Sequence, residues 1–558
     1  MSGFDEIVDF IVVGSGGGSM CASLYMLSKG KQVVMLEKSD LVGGTTARSG
    51  GVMWIPNNRF LKRDGIEDSY EKALTYLDGL IEDSKDTPGS TPVRRQTFLK
   101  QAPRMLDFLL DQGIKLNRFH YWPDYYDERP GGMEQGRCVG AELFDVNELG
   151  KWKDKLRPGF LDVPATIDEA LLLPNFKRSR RSCKILLRVI ARFIGAKLTG
   201  KRFVSAGAAL QGRMLQALLR AGLDLRTESP VSELIVEDGV VKGVLTLKNG
   251  RPWRLGARLG VLVGAGGFAH NQAMRDQYLP GTSDLWTSAA STDTGEMIQE
   301  MMRHGAAIAQ MDETVGNQCT LPPCSQKGEI RFPIQGVTAK PHAILVDRTG
   351  VRYMNEGGSY MAYCKGMQER HKSVPAVPSW AILDSQYLKK YMLAGTMPGT
   401  KKPDSWYDSG YLRKAGTIGE LAGLINVEPT ILNATVKRFN AFVENNCDED
   451  FQRGERAYDR WLGDFLHKPS ETLGRIEKGP FYALPVVPGD VSTFGGAVTD
   501  EHARVLREDG SVIKGLYATG TSTASVMGRA YPGAGASIGP AYTWGYVAAQ
   551  HAVGAIQE

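Results

Sequence analysis

Apolar residues fall into short runs closed by glycine, and that rhythm sets the first expectation of the fold. Residues 9–13, DFIVV, are a β-branched run without polar alternation, which predicts a short strand buried on both faces. GSGGGSM follows at 14–20, then CASLYMLSKG, a good helix ending at Gly30, then QVVMLEKSD, a second apolar strand with Glu37 at its end. The strand-to-glycine form returns in VLVGAGG at 261–267 and IKGLYATGTSTAS at 513–525. Strand, glycine turn, helix, strand predicts a Rossmann-like α/β unit. A helical period governs 182–196, SCKILLRVIARFIGA: Lys184, Arg188 and Arg192 share one face with Arg181 nearby. Ile185, Leu186, Val189, Ile190, Phe193 and Ile194 cover much of the rest. No stretch reaches the roughly 18 to 20 uninterrupted apolar residues of a spanning helix.

A length of 558 residues predicts two or more domains. The formal net charge of +5 is local: residues 177–202 hold ten Lys or Arg and no acid, so the remainder is net negative. That excludes a nucleic-acid role spread over the surface, and no aromatic platforms interleave the bases as single-strand binding requires. An apolar face beside a cationic one predicts a helix lying in a membrane interface, each base adding about 1 kcal/mol against an anionic leaflet. Packing on the rest of the chain, or against a second copy, is the alternative. The first ten residues carry three acids and no base, unlike a secretory or transit signal. Seven cysteines are scattered, and only Cys319 and Cys324 lie close, with no second pair for a zinc spacing. Reduced thiols, no metal and a cytoplasmic location at the inner face of the membrane are expected.

The glycine turns carry the chemistry. Gly14 makes the tight turn, and Gly16, flanked by Ser15 and Gly17, admits a pyrophosphate to the backbone at a helix N-terminus. Small residues at Gly18 and Ser19 let the helix pack close on the sheet. Glu37, 19 residues past Gly18 and followed by Lys38, is placed to accept from ribose hydroxyls. GGTTARSGG at 43–51 supplies Gly43, Gly44, Thr45, Thr46, Ser49, Gly50 and Gly51, where a flavin nucleotide's pyrophosphate and ring are wrapped. Ala265, Gly266 and Gly267 end a further strand, and Gly520 ends another. NAD needs only the first turn; four in this order predict FAD. No His falls in these segments, so the FAD is expected to be non-covalent.

With those segments in hand, the chain resembles the fumarate reductase and succinate dehydrogenase flavoprotein superfamily, and within it the 3-ketosteroid Δ1-dehydrogenases. The resemblance runs over nearly the whole length. Beyond the FAD turns it rests on WPDYY at 122–126, RYMNEGGSY at 352–360, GPFYAL at 479–484 and RAYPGAGASIG at 529–539. It implies an FAD domain built from both chain ends, 1–312 and 495–558, with the basic amphipathic insertion at about 170–203. An α+β substrate domain would be inserted at 313–494. It adds Val231, Ser537 and Ile538 to the cofactor set. It also implies a 3-ketosteroid that loses a hydride from C1 to flavin N5 and a proton from C2. By motif, Tyr531 and the Gly535 N–H would hold the C3 carbonyl, Tyr360 would be the base, and Tyr125 would stand beside it. The chemistry agrees: the C2 proton becomes removable only when the carbonyl oxygen is stabilised as an enolate. A tyrosine base, with an ordinary pKa of about 10, needs a neighbour to lower it. Tyr126 and Tyr353 are the neighbours most easily confused with these, Tyr353 being read as packing.

Two departures stand out: YPGAG replaces the commoner YPGPG, and a long extra stretch, including the basic segment, separates DKLRPG from GAALQGRML. An insertion docked on lipid suggests side-chain-bearing sterol ketones such as cholest-4-en-3-one as substrates, and a quinone as electron acceptor. The alternatives are a 3-ketosteroid Δ4-(5α)-dehydrogenase and a fumarate-reductase-like enzyme. The second needs His and Arg clamps, and only His342, His371 and His467 fall between 313 and 494. A flavin- or lipid-binding scaffold without activity would require the tyrosine constellation to be accidental.

Overall fold

The computed structural model describes residues 3–81, 85–161 and 163–556. Strand β1 (Glu6–Val13) starts three residues before the apolar run. Ladder pairing with a distant strand, Glu6 opposite Leu255 through Val8 opposite Ala257, extends it into polar sequence. Phe10, Ile11 and Val12 are wholly buried, each such side chain contributing about 1.5–3 kcal/mol. Helix α1 (Gly17–Ser28) and strand β2 (Val33–Leu36) follow as the pattern predicts. Beyond a run of further helices and short strands lie helix α2 (Arg180–Thr199), helix α3 (Ala206–Arg220) and strand β3 (Asp224–Arg226). The hairpin β4 (Val231–Glu237) and β5 (Val240–Lys248) leads into the long β6 (Arg251–Val263). Further on lie β7 (Ala343–Val346), α4 (Tyr360–Ser373), β8 (Ser379–Leu383), β9 (Arg413–Ala415) and β10 (Phe481–Val486). Then come β11 (Arg504–Leu506), β12 (Val512–Ala518) and α5 (Ile538–Ala552).

The main sheet runs β11-β12-β6-β1-β2-β3, with β12, β6, β1, β2 and β3 mutually parallel. Along one edge of β6, Arg251 to Gly256 pair antiparallel with β5 and Val261 to Val263 pair parallel with β12, so that edge serves two neighbours. Both ends of the chain thus enter one sheet. The closing helix α5 lies against α1 so closely that a Cβ at Gly545 would sit 2.1 Å from the Gly18 carbonyl oxygen. A second sheet, β7-β8-β10-β9, is antiparallel throughout. One face packs Tyr363 and Met367 of α4, and the other packs the helices Ile418–Leu424 and Pro429–Asn445.

The basic segment is a helix, α2, capped by Ser179 and closed by Gly200 in the left-handed region. It docks through Ile185 and Val189, which are packed with Ala165, Leu172 and Leu173. Its cations are not all free: Arg188 and Arg192 both reach Glu169, at 3.3 and 2.8 Å. Burial works against ionisation of Glu169, yet Arg192, the Thr166 N–H and Arg188 outweigh it and hold the carboxyl below its ordinary value. Leu187, Ile190, Phe193, Ile194 and Leu198 stay exposed. No helix among the described residues is long and apolar enough to cross a membrane.

Candidate active site

A cavity of about 230 Å³ opens at the C-terminal ends of β1, β2 and β6 and at the N-terminus of α1. Its wall includes 14–18, Glu37, Lys38, 44–46, Ser49, Val231, Ala265, Gly266, Gly520, Ser537 and Ile538. Gly43, Gly50, Gly51 and Gly267 lie off that wall; two of them serve packing, since a Cβ on Gly51 would strike the Gly207 nitrogen at 2.5 Å and one on Gly267 the Thr493 hydroxyl at 1.9 Å. Gly14, at φ +91°, makes the tight turn beneath the Gly264 carbonyl. Gly16 differs, because a Cβ there would meet nothing nearer than the Gly264 oxygen at 3.7 Å. Protein packing does not require glycine at 16; a group lying on the bare backbone does. Gly16 caps α1 without a side-chain acceptor, so backbone N–H groups and the positive helix end face the cavity, as a pyrophosphate demands.

Glu37 closes the far side. Its Oε2 accepts from Ser15 Oγ at 2.6 Å and Ser15 N–H at 3.2 Å, and its Oε1 from Ser39 N–H at 2.9 Å. Of about four lone-pair positions, one remains for a ribose hydroxyl. Gln211 on α3 clamps the turn from behind: Nε2 donates to the carbonyls of Ser15 and Gly43 at 3.3 and 3.1 Å, while Oε1 accepts from Tyr542 at 2.7 Å. These features fit FAD. The sequence reading missed Asp293, which lines the cavity, accepts from Thr45 Oγ1 at 3.2 Å and tucks under Gly266. Burial pushes its carboxyl up to about 6. Its segment, TDTG, follows no strand and carries no glycine run, so pattern alone does not mark it.

Tyr125, Tyr360 and Tyr531, far apart in sequence, converge beside this cavity. Their ring centroids are 5.2 Å apart for Tyr125–Tyr360, 5.2 Å for Tyr360–Tyr531 and 5.9 Å for Tyr125–Tyr531. The WPDYY loop is held by Asp124, which accepts from Trp54 Nε1 at 2.8 Å and from Arg137 at 2.9 Å, while the Tyr125 N–H donates to the Pro532 carbonyl at 2.9 Å. Tyr360 opens α4, at the positive end of a 14-residue helix, where a negative charge gains about 0.3–1 kcal/mol. Lys365, one turn on, donates to Glu313 and to the Arg529 carbonyl, each at 2.8 Å, tying α4 to the Tyr531 loop. In that loop Gly535 has φ +90°, and a Cβ would sit 2.3 Å from the Val52 carbonyl oxygen. Its N–H donates to no group among the described residues. Burial raises all three phenols above the ordinary value; on Tyr360 a contact from Tyr531 adds to the rise and one from Tyr125 opposes it. The Tyr531 hydroxyl lies 2.9 Å from Ser537 Oγ, and Ser537 is itself on the cavity wall. Tyr353, by contrast, packs in the second sheet with its hydroxyl 2.7 Å from Ser379 Oγ. Tyr126, its N–H 3.3 Å from the Tyr76 hydroxyl, makes none of the three ring contacts.

A family model described as an FAD binding domain matches residues 9–538. The 3-oxosteroid 1-dehydrogenase of Mycobacterium tuberculosis (strain H37Rv) is 39% identical over 560 residues, covering 97% of this chain and 98% of that one. The protein of the same name from Mycolicibacterium smegmatis is 39% identical over 559 residues, covering 97% and 96%. The chain belongs to the 3-ketosteroid Δ1-dehydrogenase family of FAD-binding flavoenzymes. The fold agrees: the crystal structure of 3-ketosteroid delta1-dehydrogenase from Sterolibacterium denitrificans, in complex with 1,4-androstadiene-3,17-dione, superposes with a TM-score of 0.92 at 33% identity, covering 99% of this chain and all of that one. The tyrosine cluster adjoins the cavity with the bare Gly16 backbone through Ser537.

Proposed function

We propose that this chain is an FAD-dependent oxidoreductase that introduces the C1–C2 double bond into 3-ketosteroids. The observation that carries the reading is the meeting of three phenols and a backbone N–H with no acceptor among the described residues, beside a nucleotide-shaped cavity and bridged to it by Ser537. Bound non-covalently, FAD supplies the acceptor for the hydride leaving C1. Tyr531 and the Gly535 N–H bind the C3 carbonyl oxygen and stabilise the enolate as the C2 proton departs. Tyr360 takes that proton; the end of α4 and the Tyr125 hydroxyl oppose the burial that raises its pKa. The segment 313–494 would serve as the substrate domain, with 1–312 and 495–558 holding the cofactor.

We further infer a membrane contact through 177–202. Five apolar side chains of α2 are exposed, Leu198 at 82%, with Lys184 and Lys197 among them, and contiguous exposed apolar surface marks an interaction site. An enzyme docked there would draw side-chain-bearing sterol ketones such as cholest-4-en-3-one from lipid and could pass electrons to a quinone. We infer a location at the cytoplasmic face of a membrane from that contact. The test is turnover of androst-4-ene-3,17-dione and cholest-4-en-3-one with an artificial electron acceptor, the product identified by mass. Loss of two hydrogens from ring A supports the reading; desaturation only of 5α-steroids at C4–C5, or turnover of dicarboxylates alone, overturns it.

A further inference from the structure

Five arginine side chains are fully buried, and four of them meet a carboxylate: Arg95 with Asp78 at 2.8 Å, Arg137 with Asp68 at 2.7 Å, Arg275 with Asp490 at 2.8 Å and Arg453 with Glu356 at 3.4 Å. Arg94 is the exception. Its Nη1 donates to the Gly89 and Ala524 carbonyls, while its Nε has no acceptor and its charge no paired carboxylate among the described residues. Asp500 and Glu501 are the acids whose charge reaches it, yet Asp500 is taken by Arg504 at 2.6 Å. Arg94 also stands in the first turn of the helix Pro92–Asp111, the end where a cation is disfavoured. Burying an unpaired cation is costly, and two carbonyls could be served by a neutral donor.

The surroundings show what the charge faces. The guanidinium lies over the Trp544 ring, 4.4 Å from its centroid. Trp544, on α5, joins Ser525 and Val526, next to the Ala524 carbonyl, in the wall of a small pocket of about 20 Å³. Gly520, Ser537 and Ala541 belong both to that pocket and to the wall of the FAD cavity. One indole ring and a layer of neutral residues therefore separate the charge from the cavity, where little solvent screens it. We propose that Arg94 is a fixed positive charge that tunes bound FAD, favouring the more negative state it enters on reduction. Uptake of two electrons with one proton makes FAD more negative by one charge, and a cation held in low dielectric stabilises that state. Arg94 is not on the cavity wall, so it acts through space and is not a catalytic residue. The inference rests on FAD in the cavity and is independent of the steroid assignment.

Arg94→Met removes the charge and keeps the length, Arg94→Gln removes it but keeps a donor for the carbonyls, and Arg94→Lys keeps the charge and loses the fork. The FAD-loaded proteins are titrated with sulfite, which adds to oxidised flavin to give an anionic adduct, and their midpoint potentials are measured by dye-coupled reduction. In Arg94→Met and Arg94→Gln, sulfite binding and the reduction equilibrium are each expected to weaken about tenfold. For a two-electron couple the second is a fall of about 30 mV. Arg94→Lys should stay within about twofold of the unaltered protein in both. Unchanged sulfite affinity and potential in Arg94→Met and Arg94→Gln overturn the proposal, as does an equal fall in Arg94→Lys. Loss of FAD from all three variants overturns it too, because a structural clamp on the Gly89 and Ala524 carbonyls would give that result.

Discussion

At the scale of single residues, space and charge separate groups that serve a ligand from groups that serve the fold. Gly16 and Gly17 are neighbours with opposite expectations. A Cβ on Gly17 would sit 2.2 Å from the Tyr542 ring, whereas one on Gly16 has room. Gly16→Ala should therefore change apoprotein stability by no more than about 1 kcal/mol, the cost of a poorer helix cap, yet weaken FAD binding at least tenfold. Gly17→Ala should lower stability by about 1–3 kcal/mol through overpacking; thermal melts and FAD titration of both variants check the contrast. Asp293 gives a pH signature. Burial raises its carboxyl from 3.8 to about 6, so the folded chain holds that proton where the unfolded chain has lost it. Stability of the apoprotein should then fall as pH rises from about 4 to 6 and stay level above, a cost of about 1–2 kcal/mol after discounting for solvent in the cavity. Asp293→Asn should remove that slope in melts taken across the range.

At the scale of elements, the glycine-closed strands and the first helix were legible because local pattern and tertiary role agree there. β1, α1 and β2 are buried on every side that the sequence marks as apolar. The N-terminal extension of β1 was not legible, since it comes from pairing with β6 more than two hundred residues away. For α2 the periodicity gave the helix but not the fate of its cations, because Glu169, the partner of Arg188 and Arg192, lies in a separate helix. The exposed apolar face supports a specific expectation. Phe193→Glu with Leu198→Glu should reduce flotation with vesicles containing anionic lipid several-fold and leave turnover of androst-4-ene-3,17-dione in detergent unchanged. Flotation equal to the unaltered chain would point to a contact between copies instead.

At the scale of the whole molecule, convergence is the finding. Residues near 14, 37, 45, 125, 293, 360 and 531 meet because both chain ends enter one sheet and because Lys365 and Arg529 tie the second sheet's helix α4 to the C-terminal loop through Glu313. Motifs announced the participants, but their meeting depends on this long-range topology. The measurement that tests the account most directly is anaerobic mixing of the FAD-loaded protein with androst-4-ene-3,17-dione, following flavin absorbance while identifying the product. The account predicts bleaching matched one for one by the 1,4-diene, lost in Tyr360→Phe although FAD stays bound. No bleaching with this steroid or with cholest-4-en-3-one would contradict it.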